Sequence, residues 1–306
     1  MRVALQLTGL TRRFAATTAV DRLSLEVASG EIFALVGPDG AGKTTLMRLL
    51  CGALAADEGG ALVDGIDVIS QTERVQSAIG YMPQRFSLYP DLSVIENLRF
   101  YGAIFGIPRS EFEARARSLL ADFSLGDFAE RLAEALSGGM KQKLALACTL
   151  IHRPSTILLD EPTAGVDPVS RREFWRLLYG INRSRTTIFV STQYMDEAER
   201  ATRVAFMTEG RIVSIGTPAE LKAALHGEVV EVRCSRYRDA RRALHGISSV
   251  RSVEMFGDVL HVLVDSAEAS IPDFRRRLQA VGIEDADFRS VPPSLEDAFV
   301  AKLSAS

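Results

Sequence analysis

The apolar run Ile32–Val36 enters the octapeptide Gly37-Pro38-Asp39-Gly40-Ala41-Gly42-Lys43-Thr44, and behind it Leu46, Met47, Leu49 and Leu50 recur at helical spacing before Gly52. An unbroken apolar run of this length reads as a strand buried on both faces. The G-x-x-x-x-G-K-[ST] spacing reads as a loop whose backbone N–H groups converge on phosphate oxygens. Strand, loop and helix in that order commit the chain to an α/β fold with a mainly parallel sheet. The glycines let the backbone approach an anion, and the helix N-terminus adds its dipole. Lys43 reaches terminal phosphates, and the Thr44 hydroxyl is placed to ligate Mg²⁺. Residues 37–44, with Thr45 behind them, are therefore expected to bind a triphosphate, for which ATP is the natural form.

A second element completes this chemistry. Thr156-Ile157-Leu158-Leu159-Asp160-Glu161 is an apolar strand that ends in two acids. Asp160 is expected to hold Mg²⁺, and Glu161, turned the other way by strand alternation, to polarise the attacking water as general base. A strand end with two acids and no phosphate loop would read as solvated; the pairing gives it function.

The rest of the chain frames these motifs. Its 306 residues suit one large domain and a small one. A net charge of -3 supplies no broad basic field, which argues against nucleic acid as a partner. Cys51, Cys148 and Cys234 lack the spacing of a zinc site or disulfide framework, and no run approaches the ~18 apolar residues of a membrane span. With no apolar signal block in residues 1–10, a cytoplasmic location is expected.

Alternation at Leu23, Leu25 and Val27, and an Asp64-Gly65 turn, predict an N-terminal antiparallel β layer. Residues 93–151 carry helical spacing and predict an inserted helical subdomain. Strand character returns at 156–159, 187–190 and 204–207, with a helix capped by Asp167 and opened by Pro168. Thr217-Pro218-Ala219-Glu220 is a capping box, and Gly227 reads as the boundary between domains 1–226 and 227–306. The second domain reads strand, helix, strand, strand, helix, strand, a small α+β ferredoxin-like unit.

Between the phosphate loop and the acidic strand lies Leu136-Ser137-Gly138-Gly139-Met140. With this order of motifs the chain resembles the ABC ATPase family, whose signature is LSGGQ or a near variant, over about residues 5–226. The resemblance implies a P-loop ABC ATPase that dimerises with a second ATPase subunit, the same or a related chain. In that dimer Ser137, Gly138 and Gly139 would contact the γ-phosphate held by the partner. It also implies that Phe14 stacks on adenine, against the plain alternative of a buried β-layer ring. Gln84 resembles the Q-loop glutamine that approaches Mg²⁺ and the water. Phe86, Leu88, Tyr89, Pro90 and Leu92 would help to receive a coupling helix from separate multi-span permease subunits. Residues 164–167 match the D-loop, where the two subunits meet.

One element departs from the family pattern: Gln193 stands where a switch histidine is usual. Glutamine still offers hydrogen bonds to a γ-phosphate or water but gains no charge near neutral pH, so slowed hydrolysis is expected. The segments Leu136-Ser137-Gly138-Gly139-Met140-Lys141-Gln142-Lys143-Leu144, 194–199 and 292–299 resemble drug-resistance-type exporters, whose ATPases work peripherally on the inner face of the cell membrane. GPDGAGKT and the missing histidine are similar to the first half of tandem exporters that use a periplasmic adaptor protein. Two rival readings are a non-transport ABC protein, which usually fuses two cassettes where this sequence has one, and a regulatory ATP-binding subunit, which Gln193 alone supports.

Overall fold

A computed structural model describes residues 2–85 and 88–304, and they form two compact units that divide between Ile215 and Gly216. The first unit runs through β1 (Val3–Phe14), β2 (Thr17–Ala28), β3 (Ile32–Val36), α1 (Lys43–Leu50), β4 (Glu58–Val63), β5 (Ile66–Asp67), α2 (Thr72–Ala78) and β6 (Ile79–Met82). It continues through α3 (Val94–Ile104), α4 (Arg109–Asp122), α5 (Gly138–Leu150), β7 (Thr156–Asp160), α6 (Pro168–Arg183), β8 (Thr187–Thr192), α7 (Met195–Ala198), β9 (Arg203–Thr208) and β10 (Arg211–Gly216).

The fully buried strands β3, β8 and β7 lie inside a six-stranded sheet, ordered β10-β9-β3-β8-β7-β6. The strands from β9 to β6 are parallel, with Val36 opposite Thr192, Asp160 opposite Ser191 and Met82 opposite Leu159. Parallel pairing brings every strand's carboxyl end to one edge. The phosphate loop after β3, Gln84 after β6, Glu161 after β7 and Gln193 after β8 therefore gather at the same rim.

The alternating strands form the antiparallel layer β2-β1-β4-β5. Its turn uses positive φ at both Asp64 and Gly65, as a tight hairpin requires. Leu5, Leu7, Leu23, Leu25 and Val27 face a shared core with Leu46, Met47 and Leu50 of α1 and with Phe33 and Phe189 of the parallel sheet. Burial of one such leucine contributes about 1.5–3 kcal/mol, so this core fixes the helix that carries the phosphate loop. The helical subdomain forms as its spacing predicts: α3 opens on a Ser93/Glu96 capping box and α5 on the Ser137 hydroxyl.

The second unit contains α8 (Pro218–Ala223), β11 (Glu228–Arg233), α9 (Tyr237–Leu244), β12 (Val250–Phe256), β13 (Val259–Val264), α10 (Ala267–Ala280), β14 (Asp287–Val291) and α11 (Leu295–Ser304). Its antiparallel sheet is ordered β12-β13-β11-β14, the ferredoxin-like arrangement, with Val230, Val232, Leu260, Val262, Phe274 and Leu278 in the core. The unit begins eleven residues before Gly227, because α8 packs against α11 and buries Leu221. Gly227 itself marks a close backbone approach rather than a linker: its φ is +114°, and a Cβ there would lie 2.4 Å from the Val264 carbonyl oxygen. The α11 helix, which begins within the 292–299 segment and runs to Ser304, is not foreshadowed by apolar periodicity.

Candidate functional site

The phosphate loop is shaped by two close approaches. A Cβ on Gly37 would lie 2.1 Å from the Met207 carbonyl oxygen, and one on Gly42, where φ is +104°, 2.1 Å from that of Ala19. Only glycine lets the loop pass these backbones. Gly37 and Ala41 are buried, whereas Pro38, Asp39 and Gly40 form an exposed crest. The α1 helix starts with no side-chain cap and no acid in its first turn, so its leading N–H groups remain donors for an anion. Thr44 and Thr45 sit half-buried in that turn.

Lys43 is folded into the site. Its ammonium donates to the carbonyls of Gly37 at 2.7 Å and Pro38 at 3.0 Å, and pairs with Glu161 Oε1 at 3.1 Å. The other Glu161 oxygen accepts from Gln84 Nε2 at 3.0 Å. Asp160, fully buried, accepts from the Ser191 hydroxyl at 2.6 Å through Oδ1, while Oδ2 has no hydrogen-bond partner among the described residues. A buried carboxylate oxygen without a donor suits a hard cation, and the oxygens of Asp160, Thr44 and Gln84 are the donor type that Mg²⁺ takes. The Tyr81 phenol nearby is pushed up to about 12, chiefly by burial and then by the Asp160 charge.

The aim of Glu161 differs from the expected strand alternation. The strand ends at Asp160, and Glu161 takes a left-handed φ of +47° while its N–H donates to the Ser191 hydroxyl at 3.0 Å. A non-glycine residue there costs about 1–3 kcal/mol and persists where surrounding bonds fix it, here Ser191, Lys43 and Gln84.

The other expected residues divide into those near this cluster and those apart from it. Gln193 lies exposed, one residue past β8. Phe14 is 45% exposed, with the Arg12 guanidinium 4.8 Å above its ring, so the buried-ring alternative does not describe it. Ser137 and Gly138 are exposed, and the Ser137 hydroxyl accepts from Met140 N–H at 3.3 Å. Gly139 faces α6: a Cβ there would lie 2.7 Å from the Ser170 hydroxyl. Among the described residues no hydrogen bond joins this signature loop to its own phosphate loop. Asp167 caps α6 as expected, accepting from Val169 and Ser170 N–H at 3.0 Å each. Phe86 lies outside the described residues.

Sequence reasoning missed Ser191, which orients both acids, and a cluster of buried Thr163, Thr192 and Glu197 with half-buried Arg171. The available signal was the Ser191-Thr192 ending of an otherwise apolar strand, since hydroxyls at the end of a buried strand need partners.

Comparison with known proteins agrees with this geometry. The family described as "ABC transporter" matches residues 20–164, and that described as "ATP-binding protein DrrA1-3-like, C-terminal domain" matches 216–303. The chain is 40% identical over 304 residues to the probable multidrug ABC transporter ATP-binding protein YbhF of Escherichia coli, covering 98% of this chain and 52% of YbhF. It thus spans about half the length of that relative. The daunorubicin/doxorubicin resistance ATP-binding protein DrrA of Streptomyces peucetius is 33% identical, over 97% of this chain and 92% of DrrA. Among solved structures, the ATP-binding cassette MJ0796, described as dimeric, post-hydrolysis and bound to ADP and Pi, superimposes with a TM-score of 0.63. It is 25% identical, over 70% of this chain and 98% of the cassette. The chain belongs to the ATP-binding proteins of the ABC transporter family, in the subgroup that carries a DrrA1-3-like C-terminal domain.

Proposed function

We propose that this chain is the ATP-binding and ATP-hydrolysing subunit of an ABC exporter. The observation that carries this reading is the convergence of Lys43, Gln84 and Glu161 beside the open oxygen of Asp160. The loop amides and Lys43 bind the phosphates, with Phe14 as the exposed ring for adenine. Glu161 accepts a proton from the attacking water, Gln84 orients that water, and Gln193 hydrogen-bonds the terminal phosphate. Thr44, Asp160 and Gln84 would hold Mg²⁺, which would supply neutralising charge on the phosphates.

The exposure of Ser137 and Gly138 supports a dimer in which each copy closes the other's site, and MJ0796 is described as dimeric. A cleft of 420 Å³ lined by Gln84, Arg85, Leu88, Pro90, Glu134 and Lys141 lies beside Gln84 and supports docking of a permease helix. The subunit then works peripherally on the inner face of the membrane; among the described residues no helix is long and apolar enough to cross one. The periplasmic adaptor and tandem arrangement remain part of this proposal on the sequence resemblance alone, carried by GPDGAGKT and Gln193.

Gln193 favours a second reading, a slow or regulatory site. ATP turnover of the full chain, alone and with its membrane partner, separates the two. Turnover stimulated by the partner supports the engine. ATP binding with no turnover in either state supports the regulatory reading.

A further inference from the structure

The loop that carries Glu161 and the loop that carries Gln193 meet on one fully buried carboxylate. Glu197 of α7 accepts from the Thr163 hydroxyl through Oε1 and from the Thr192 hydroxyl through Oε2, at 2.8 Å for the latter. Thr163 stands two residues after Glu161, and Thr192 stands immediately before Gln193. Both threonines are 1% exposed and Glu197 is 0%. The only cation at the carboxylate among the described residues is Arg171 of α6, with Nε at 3.4 Å, an ion pair without hydrogen-bond geometry. That guanidinium also lies 3.9 Å over the Tyr194 ring, and Tyr194 N–H donates to the Thr192 hydroxyl at 3.0 Å.

We propose that Glu197 is a positioning residue that locks the loop after β7 to the loop after β8, so that Glu161 and Gln193 approach the nucleotide as one unit. A buried carboxylate is tolerated only while its charge is paired and its oxygens are bonded. Each oxygen here accepts from a hydroxyl on a different loop, so either loop can move alone only by taking that donor from a buried carboxylate oxygen. Packed, bonded elements of this kind switch between discrete arrangements rather than deform gradually. Arg171 extends the lock into α6, whose cap, Asp167, closes the loop at which the second copy is proposed to dock. Closure across the dimer would reach Gln193 through Thr163 and Glu197. The proposal rests on the ATPase reading for its purpose but not for its geometry.

The test uses the full chain. Hydrogen exchange of E197Q should rise about 10-fold in peptides covering both 162–167 and 191–195, with 37–44 unchanged, because opening there becomes local unfolding. With the membrane partner supplied, kcat should fall about 10-fold while ATP affinity stays within about 2-fold, the pattern of an interaction used only in the transition state. T163V should reproduce both effects, T163S should restore coupling, and T163V combined with E197Q should be no slower than E197Q within about 2-fold. Faster exchange in one loop alone, or kinetic losses that multiply, overturns the lock. Should E197Q not fold, the T163V and T163S pair decides the matter by the same readouts. A wild-type chain that binds no ATP sinks the ATPase reading, while exchange still judges the lock.

Discussion

Lys43 Nζ lies 3.1 Å from Glu161 Oε1, with 4% and 6% of the two side chains exposed. The cation proposed to meet phosphate and the carboxylate proposed to meet water neutralise each other in a dry site. On the proposed reading a triphosphate would compete for Lys43 and free Glu161 to meet the attacking water. Glu161→Gln should therefore retain ATP binding and lose about 10²–10⁴-fold in turnover, as for a general base. Lys43→Ala leaves a buried acid short of its cation and should lower the unfolding free energy by about 3–5 kcal/mol, read by denaturant titration.

The two glycine contacts in the phosphate loop make a separate prediction. Gly37→Ala and Gly42→Ala each place a methyl 2.1 Å from a main-chain oxygen, which no rotamer change relieves. Both variants should lose nucleotide binding in an equilibrium titration. Gly40→Ala meets nothing within 4 Å, but its φ of +81° strains any side chain, so a partial loss is expected there.

Gln193→His restores a titratable group at the rim. Turnover of the assembled complex should rise several-fold, about 3- to 10-fold, and gain a pH dependence near the ordinary histidine value. An unchanged ATPase rate and pH profile would mean that position 193 does not limit hydrolysis.

The second unit carries its own pH signature. His261 Nδ1 is 3.0 Å from Asp297 Oδ1 of α11, with Glu231 at 3.9 Å and the Phe256 ring stacked at 4.3 Å. The hydrogen bond that His261 donates to Asp297 raises the histidine above its ordinary 6.5, against the effect of burial. Burial alone would raise Asp297, but bonds from His261 and Ser294 outweigh it and hold the acid below 3.8. The histidine's contribution is therefore complete below pH 6.5 and lost as pH rises through the higher folded value. That of Asp297 is present above 3.8 and lost as pH falls through its lower folded value. Thermal unfolding between pH 6 and 9 should show this loss, and His261→Gln should remove it and cost about 1.5–3 kcal/mol at pH 6.

Much of this was legible in the sequence because the signals were local. The apolar run before Gly37 fixed a central parallel strand, Asp167-Pro168 a helix start, and the βαββαβ order the second unit. The order of phosphate loop, Leu136-Ser137-Gly138-Gly139-Met140 and acidic strand located the site. What stayed hidden depended on contacts distant in the chain. The aim of Glu161 follows from a left-handed φ pinned by Ser191, thirty residues on. Gly227 reads as a domain boundary in the sequence, yet its role is set by the neighbouring Val264 backbone. Glu197 reads as one acid among several in 194–199, and only folding reveals that it alone is dry and doubly bonded.

Every role proposed for this chain depends on the backbone around Lys43 gripping a triphosphate. Calorimetric titration of the full chain with ATP and Mg²⁺ tests it most directly, using Lys43→Ala checked for retained fold as the comparison. Saturable binding is expected for the wild type, and the substitution should weaken it by about 10-fold or more, as loss of a charge-assisted contact to phosphate requires. Equal affinity in the two proteins, or no binding by the wild type, would contradict it.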